Sequence, residues 1–223
     1  MKKTLLILVL LVVLSLAFFW FINKDKHNEP AILLPWQVST NTDGTTHILG
    51  VDIGKVTFKE LMFKIQYLAE PALFETADGK LTLEAYFGKK KFGMLEARLI
   101  VEMDASQEFL KTMLVGSTDR EATPSNNWKY ALSIKNTKIV NDLRVWRLIY
   151  LPITDYELKQ MKFFGEPEEI LKVNETAEYW LYPSKGVALL YDTAGKEIFY
   201  YVAPKDFGRL KDSLPKKAIM IIR

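Results

Sequence analysis

Residues Leu5 to Ile22 run for eighteen positions without a charge. As a helix that run rises about 27 Å, close to the roughly 30 Å hydrocarbon core of a bilayer. Lys2 and Lys3 precede it and Asn23-Lys24-Asp25-Lys26 follows. Positive charge before the run keeps the N-terminus cytoplasmic and sends the remaining ~200 residues across the membrane. A competing reading is a cleaved signal peptide, with Ser15 and Ala17 as the small residues of a cleavage site. The aromatic continuation Phe18-Phe19-Trp20-Phe21 sits where an interfacial belt would lie and favours an uncleaved anchor over residues 1–26. The expected location is the inner membrane, single-pass, with the C-terminal part in the periplasm.

Charge follows the same division. The chain is formally +3, and residues 1–26, with four lysines and one aspartate, account for all of it. The rest is balanced and gives no electrostatic reason to expect nucleic acid. Cysteine is absent, which excludes disulfides, thiolate catalysis and cysteine-ligated metals.

A pattern occurs twice. Thr57-Phe-Lys-Glu60 opens an apolar helical stretch with Leu61, Ile65 and Leu68, closed by Glu70-Pro71. Thr154-Asp-Tyr-Glu157 opens a second, closed by Gly165-Glu166-Pro167. Thr-x-x-Glu is a capping box, in which the hydroxyl accepts from an early helix N–H and the glutamate reaches back. Each copy predicts a three-turn helix that a proline forbids from continuing.

Strand signals follow each helix. Leu81–Gly88 and Met94–Met103 flank a Gly/Lys-rich turn at 88–93; Glu178–Tyr182, Val187–Tyr191 and Glu197–Val202 alternate with glycine-bearing turns. A hairpin over Trp36–Val51 turns at Asn41–Gly44. Ser106–Val115 reads as a helix, 116–127 as a polar loop, Leu132–Val140 as a short helix and Leu143–Leu151 as a strongly apolar strand. The fold class expected is α+β: an N-terminal transmembrane helix over 1–26, a first helix-plus-antiparallel-sheet module over 27–128, a second over 129–210 and a tail over 211–223. The structured link predicts one continuous sheet or two abutting ones.

The second copy, with Phe164-Gly-Glu-Pro167, Glu178-Tyr-Trp-Leu-Tyr-Pro183 and Tyr191-Asp-x-x-Gly-Lys196, resembles the SmpA/OmlA outer-membrane assembly lipoproteins and the β-lactamase-inhibitor-protein fold. That resemblance implies tandem units of helices followed by an antiparallel sheet. It spans 154–202 and, more loosely, 54–103, and it lacks a lipobox cysteine. Leu34-Pro-Trp-Gln-Val38, Leu49-Gly-Val-Asp-Ile-Gly54, Leu83-Glu-Ala-Tyr86 and Tyr201-Val-Ala-Pro-Lys-Asp-Phe207 resemble a family of proteobacterial membrane-anchored envelope proteins. This second resemblance implies an envelope location and brings no activity and no functional residues.

Candidate sites are few. His27 and His47 have no metal-ligand spacing, and no Ser-His-Asp set is credible. Glu84, Glu96 and Glu102 lie on expected paired strands, where two carboxylates can share acid and base roles, although pairing with Arg98 or lysines is the commoner outcome. Lys89-Lys90-Lys91 falls at an expected hairpin tip, a solvated turn or an anion contact. The aromatic strands supply the one suggestive constellation. Tyr86, Trp180, Tyr182, Tyr200 and Tyr201 are candidate binding residues, on the reasoning that one sheet face packs on helices and the other is open to a partner. Alternation sends Trp180 and Tyr182 to one face and Tyr179 to the other. Core packing is the competing role for all of them. The tail Pro215–Arg223 is too short to span a bilayer and reads as an edge strand, a partner-docking strand or a frayed end.

The expected function is a non-catalytic binding or scaffolding component of the envelope. It would be anchored by its single span and bound to another envelope protein, with no cofactor, no metal and no nucleic acid. A small-ligand binder with a pocket between the modules is the first alternative, and an enzyme without a recognisable motif the second.

Overall fold

The computed structural model describes Ser15, residues 33–117 and residues 119–215. Apart from Ser15, the expected span over 1–26 lies outside these, as do tail residues 216–223; among the described residues no helix is long and apolar enough to cross a membrane. The chain divides into Met1–Ile32 and Leu33–Arg223.

The second unit begins with a three-stranded sheet, β1 (Ser39–Thr40), β2 (Thr46–Ile48) and β3 (Val51–Ile53). Asn41–Gly44 turns β1 into β2 as the sequence indicates. Leu49 and Gly50, both at positive φ, form a two-residue turn into β3. The other strands are β4 (Pro71–Glu75), β5 (Leu81–Phe92), β6 (Leu95–Met103), β7 (Arg120–Ala122), β8 (Trp128–Ala131), β9 (Val145–Pro152), β10 (Glu169–Lys172), β11 (Ala177–Tyr182), β12 (Val187–Asp192) and β13 (Ile198–Val202). They make one antiparallel sheet of ten strands, ordered β10-β11-β12-β13-β9-β6-β5-β4-β8-β7.

That sheet overturns the expected tandem of helix-plus-sheet modules. The cause is β9, which the sequence places in the link. It hydrogen-bonds to β13 along one edge and β6 along the other, so the strands of both halves share one ladder. The expected division at 128/129 falls inside β8, itself paired to β4 of the first half.

Five helices are described: α1 (Phe58–Ile65), α2 (Gln107–Val115), α3 (Ile134–Val140), α4 (Leu158–Met161), continued by a 3-10 turn over Lys162–Phe164, and α5 (Phe207–Ser213). Thr57 caps α1 with the full box: its hydroxyl accepts from Glu60 N, and Thr57 N–H donates to Glu60 Oε2 at 3.0 Å. The helix stops earlier than expected. Gln66 turns left-handed, and Leu68 is left exposed. The second box does not form on Thr154, which lies exposed in the preceding loop. Tyr156 is drawn into the core, where its hydroxyl meets that of Tyr150 at 2.8 Å, and the helix begins only at Leu158, with Glu157 as its N-cap. The expected turn at 88–93 is also displaced. β5 runs on through a bulge at Gly88, and the chain reverses at Gly93-Met94. Lys89–Lys91 therefore lie in a strand, with Lys89 bridging Glu96 at 2.5 Å.

Alternation splits the core in two. One face gathers Leu83, Leu99, Leu148, Tyr150, Tyr182, Phe199 and Tyr201 with residues of the small sheet, α1, α2 and the Phe164 turn. The opposite face gathers Trp146, Tyr179, Leu181, Leu190 and Tyr200 against Phe207, Leu210 and Leu214 at α5. The small sheet is pinned to the large one through Thr46, whose hydroxyl lies 2.7 Å from the Val202 carbonyl oxygen. Gly186, at φ +68°, lies beside that bond, and a Cβ there would collide with the Val202 carbonyl and stand 2.7 Å from Thr46 Oγ1.

Two stability outcomes follow from this geometry. Thr57→Ala should lower stability by about 0.5–2 kcal/mol through the lost cap, while Thr154→Ala leaves the urea midpoint unchanged. Gly186→Ala should cost more than the ~1–2 kcal/mol of a left-handed backbone alone, because the clash adds to it; thermal unfolding of the purified variant measures the difference.

Candidate functional site

Strand pairing aligns a single row of residues across six strands: Ala131, Ala72, Glu84, Glu102, Arg147 and Val202. Residues directly opposite in a sheet share a face, so the three charged members meet side by side. Of the three glutamates singled out in the sequence, Glu84 and Glu102 are brought together. Glu96 stands elsewhere, paired to Lys89 and Lys91.

Glu102 is buried and bonded to Arg147 Nη2. Arg147 Nη1 also donates to Ser213 Oγ at 3.1 Å. Among the described residues, Arg147 bonds Glu102 and acts on Glu84 through its charge alone. Glu84 accepts from the Thr82 hydroxyl at 2.6 Å. Burial, with the nearby Glu102 charge, pushes the Glu84 carboxyl above its usual range despite that bond and the pull of Arg147.

A bulge between Glu102 and Met103 shifts the register so that Val145 opposes Met103 while Arg147 opposes Glu102. Trp146 and Arg147 are consecutive, yet Trp146 joins the α5 side of the sheet, where Arg147 reaches Ser213. The guanidinium carbons of Arg209 and Arg147 stand 3.7 Å and 5.0 Å from the Trp146 ring centre. Trp146 Nε1 and Arg147 Nε are buried without a hydrogen-bond partner among the described residues. Beside them opens a cavity of about 510 Å³, walled by the starts of β5 and α2, the end of β6, and α5. Glu102, Arg147, Arg209 and Asp212 bring both signs of charge to its lining. The wall is stiffened by Gln107, whose carboxamide bonds both the N–H and the C=O of Leu81, at 3.0 and 2.8 Å.

A second network backs the first. Asp104 accepts from Arg144 and, at 2.6 Å, from Arg209; Arg144 also reaches Asp206 and the Gly54 carbonyl. Burial works to raise the Asp104 carboxyl, but the two arginines outweigh it and hold it below the usual range.

The aromatic candidates do not form an open face. Tyr182, Tyr200 and Tyr201 are buried, because the second half of the sheet is covered on both sides, by the Phe164 turn and small sheet on one and by α5 on the other. Tyr182 donates to the Gly165 carbonyl at 3.0 Å and Tyr201 to the Pro35 carbonyl at 2.7 Å; burial pushes the Tyr182 hydroxyl up to about 12. Trp180 is half-buried, shares the Tyr182 face as alternation requires, and packs on Tyr191 at 5.6 Å. Tyr86 alone is exposed, in a groove with Phe74, Glu84 and Lys129. His47 bonds Asp52 at 2.7 Å, and the carboxyl is held below its usual range chiefly by that bond.

Sequence reasoning missed Arg147, Arg209 and Trp146. Arg147 had a signal, since it interrupts an otherwise apolar run where only one face could accept it. Glu84→Gln should raise stability at neutral pH and change it little near pH 4. A raised folded-state value means that the ionised form is the disfavoured one, so the gain grows as pH rises through it. Urea midpoints across that range measure the effect. Tyr182→Ala should destabilise by roughly 3–5 kcal/mol, as a core ring does. In comparisons with family models, curated proteins and solved structures, the chain matches none.

Proposed function

We propose that the chain is a non-catalytic binding protein of the cell envelope, held by a span at Leu5–Ile22 with its folded unit facing the periplasm. Its seat is the cavity over Glu102 and Arg147. The observation that carries this reading is the pair of buried donors, Trp146 Nε1 and Arg147 Nε, unpartnered beside a cavity of about 510 Å³. A core selected for stability alone avoids such groups, which cost roughly 1–3 kcal/mol each. The volume lies within the range of small-molecule sites. A lining that carries both Arg209 and Asp212 favours a ligand that itself bears both charges, an amino acid or a short peptide. Binding is favoured over turnover because Glu102 is committed to Arg147 and is not free to act as a base. The envelope assignment rests on the uncharged run and the lysines before it.

Calorimetric titration of the full chain with free amino acids and dipeptides tests the seat. Saturable binding is expected, weakened about tenfold or more (~1.4 kcal/mol) by Asp212→Asn with the melting temperature held. Binding that survives both Arg209→Gln and Asp212→Asn, or no binding across the panel, would remove this cavity from consideration. A C-terminal alkaline phosphatase fusion should be active in cells; an inactive one would reverse the topology.

A further inference from the structure

The outward side of α1 and α3 carries apolar side chains that the fold does not use. Phe63 is 84% exposed, Ile134 80% and Leu68, just past α1, 88%. On a helix, residues four apart share a face, and here three such pairs join an apolar side chain to a lysine: Lys59 with Phe63, Ile134 with Lys138, Lys135 with Ile139. The two helices are adjacent, since Lys59 N–H donates to the Asn141 carbonyl at 3.0 Å and Phe58 N–H to that of Leu143 at 2.9 Å. Leu68 shares a groove with Thr137 and Asn141, which stack over Ile134 and Lys138 on α3.

Some lysines of the unit are tied to acids and others are not. Lys55, Lys89, Lys129, Lys196 and Lys211 each bridge a carboxylate. Among the described residues, Lys59, Lys64, Lys135 and Lys138 form no ion pair. Three acids line the groove beside Lys59, Phe63 and Lys64: Glu60 is turned back onto the Thr57 N–H, Asp52 is bonded to His47, and Asp142 is the third. Unpaired basic charge interleaved with bare aromatic and aliphatic side chains is the chemistry of an anionic membrane interface.

We propose that this α1–α3 surface lies against an anionic lipid bilayer, with Phe63, Leu68 and Ile134 entering the interface and the four lysines meeting headgroups. The proposal rests on the anchor reading above. Ten residues separate Ile22 from Leu33, a tether that reaches at most about 35 Å, so an anchored unit is never far from lipid.

The chain has no cysteine, so a single introduced one reports cleanly. Phe63→Cys, Ile134→Cys and, as a control on the far edge strand, Ile170→Cys would each carry a polarity-sensitive fluorophore. The full chain would be reconstituted in phosphatidylethanolamine–phosphatidylglycerol vesicles. Flotation reads the anchor, and quenching by brominated lipid reads the surface. The expected result is flotation, with strong quenching at 63 and 134, little at 170, and a several-fold loss in phosphatidylcholine vesicles or with Lys59→Glu and Lys138→Glu. Flotation without quenching at 63 and 134 overturns the proposal and leaves the anchor standing. Failure to float overturns both. A blue shift that depends on protein concentration and not on lipid would assign the surface to a second copy of the chain, against the proposal.

Discussion

Everything in the folded unit depends on β9 being hydrogen-bonded along both edges. A strand with partners on both sides must satisfy two registers at once, and a one-residue slip against either would send its side chains to the wrong face. The apolar residues Leu148 and Tyr150 fix one face. The bulge beside Glu102 then allows Trp146 and Arg147 to serve the other. The Glu102–Arg147 pair is the last of the regular register, and the extra residue just beyond it is Trp146, which the bulge frees from pairing with Met103.

The Glu102–Arg147 centre is not an obvious source of stability. Removing an ion pair from water costs about as much as the pair returns, and replacing such pairs with apolar residues is often neutral or favourable. Here the imbalance is larger, with two carboxylates beside one guanidinium and buried donors without partners. Structural networks nearby are better closed: Asp104, Arg144, Asp206 and Arg209 join into one chain of bonds. The contrast between a saturated network and an unsaturated one a few residues away is what separates scaffold from candidate site.

Much of the local structure was legible because it is set by local chemistry. Thr57 and Glu60 announce a helix start, Ser106 caps α2, and glycine-bearing turns mark the hairpins. Long-range pairing was not legible. Nothing in Val145–Pro152 distinguishes a link from a shared central strand, since an apolar run suits either. The helix α5 is seven residues with a glycine inside it, a weak helix by propensity. It forms because Phe207, Leu210 and Leu214 dock on the sheet, and in docking they bury Tyr200. Exposure of the aromatic strands therefore hinged on an element that tertiary contact, rather than sequence, stabilises. Thr154 and Thr57 share a motif, but only one caps, because Tyr156 is held in the core by Tyr150.

The strand order also sets a schedule for folding. The hairpin β5–β6 and the meander β10 to β13 each pair neighbours in sequence and close short loops. By contrast, β9 reaches β6 across α2, β7, β8 and α3, and waits for β13 until three further strands have been made. Contacts between distant segments incur their loop-closure entropy before they return any stability, which slows folding. A chain synthesised from its N-terminus thus spends a period with the β6 edge bare and then with the outer edge of β9 bare. Open strand edges of this kind invite intermolecular pairing, so the time between making β9 and making β13 is when this protein most needs to be kept from its own copies.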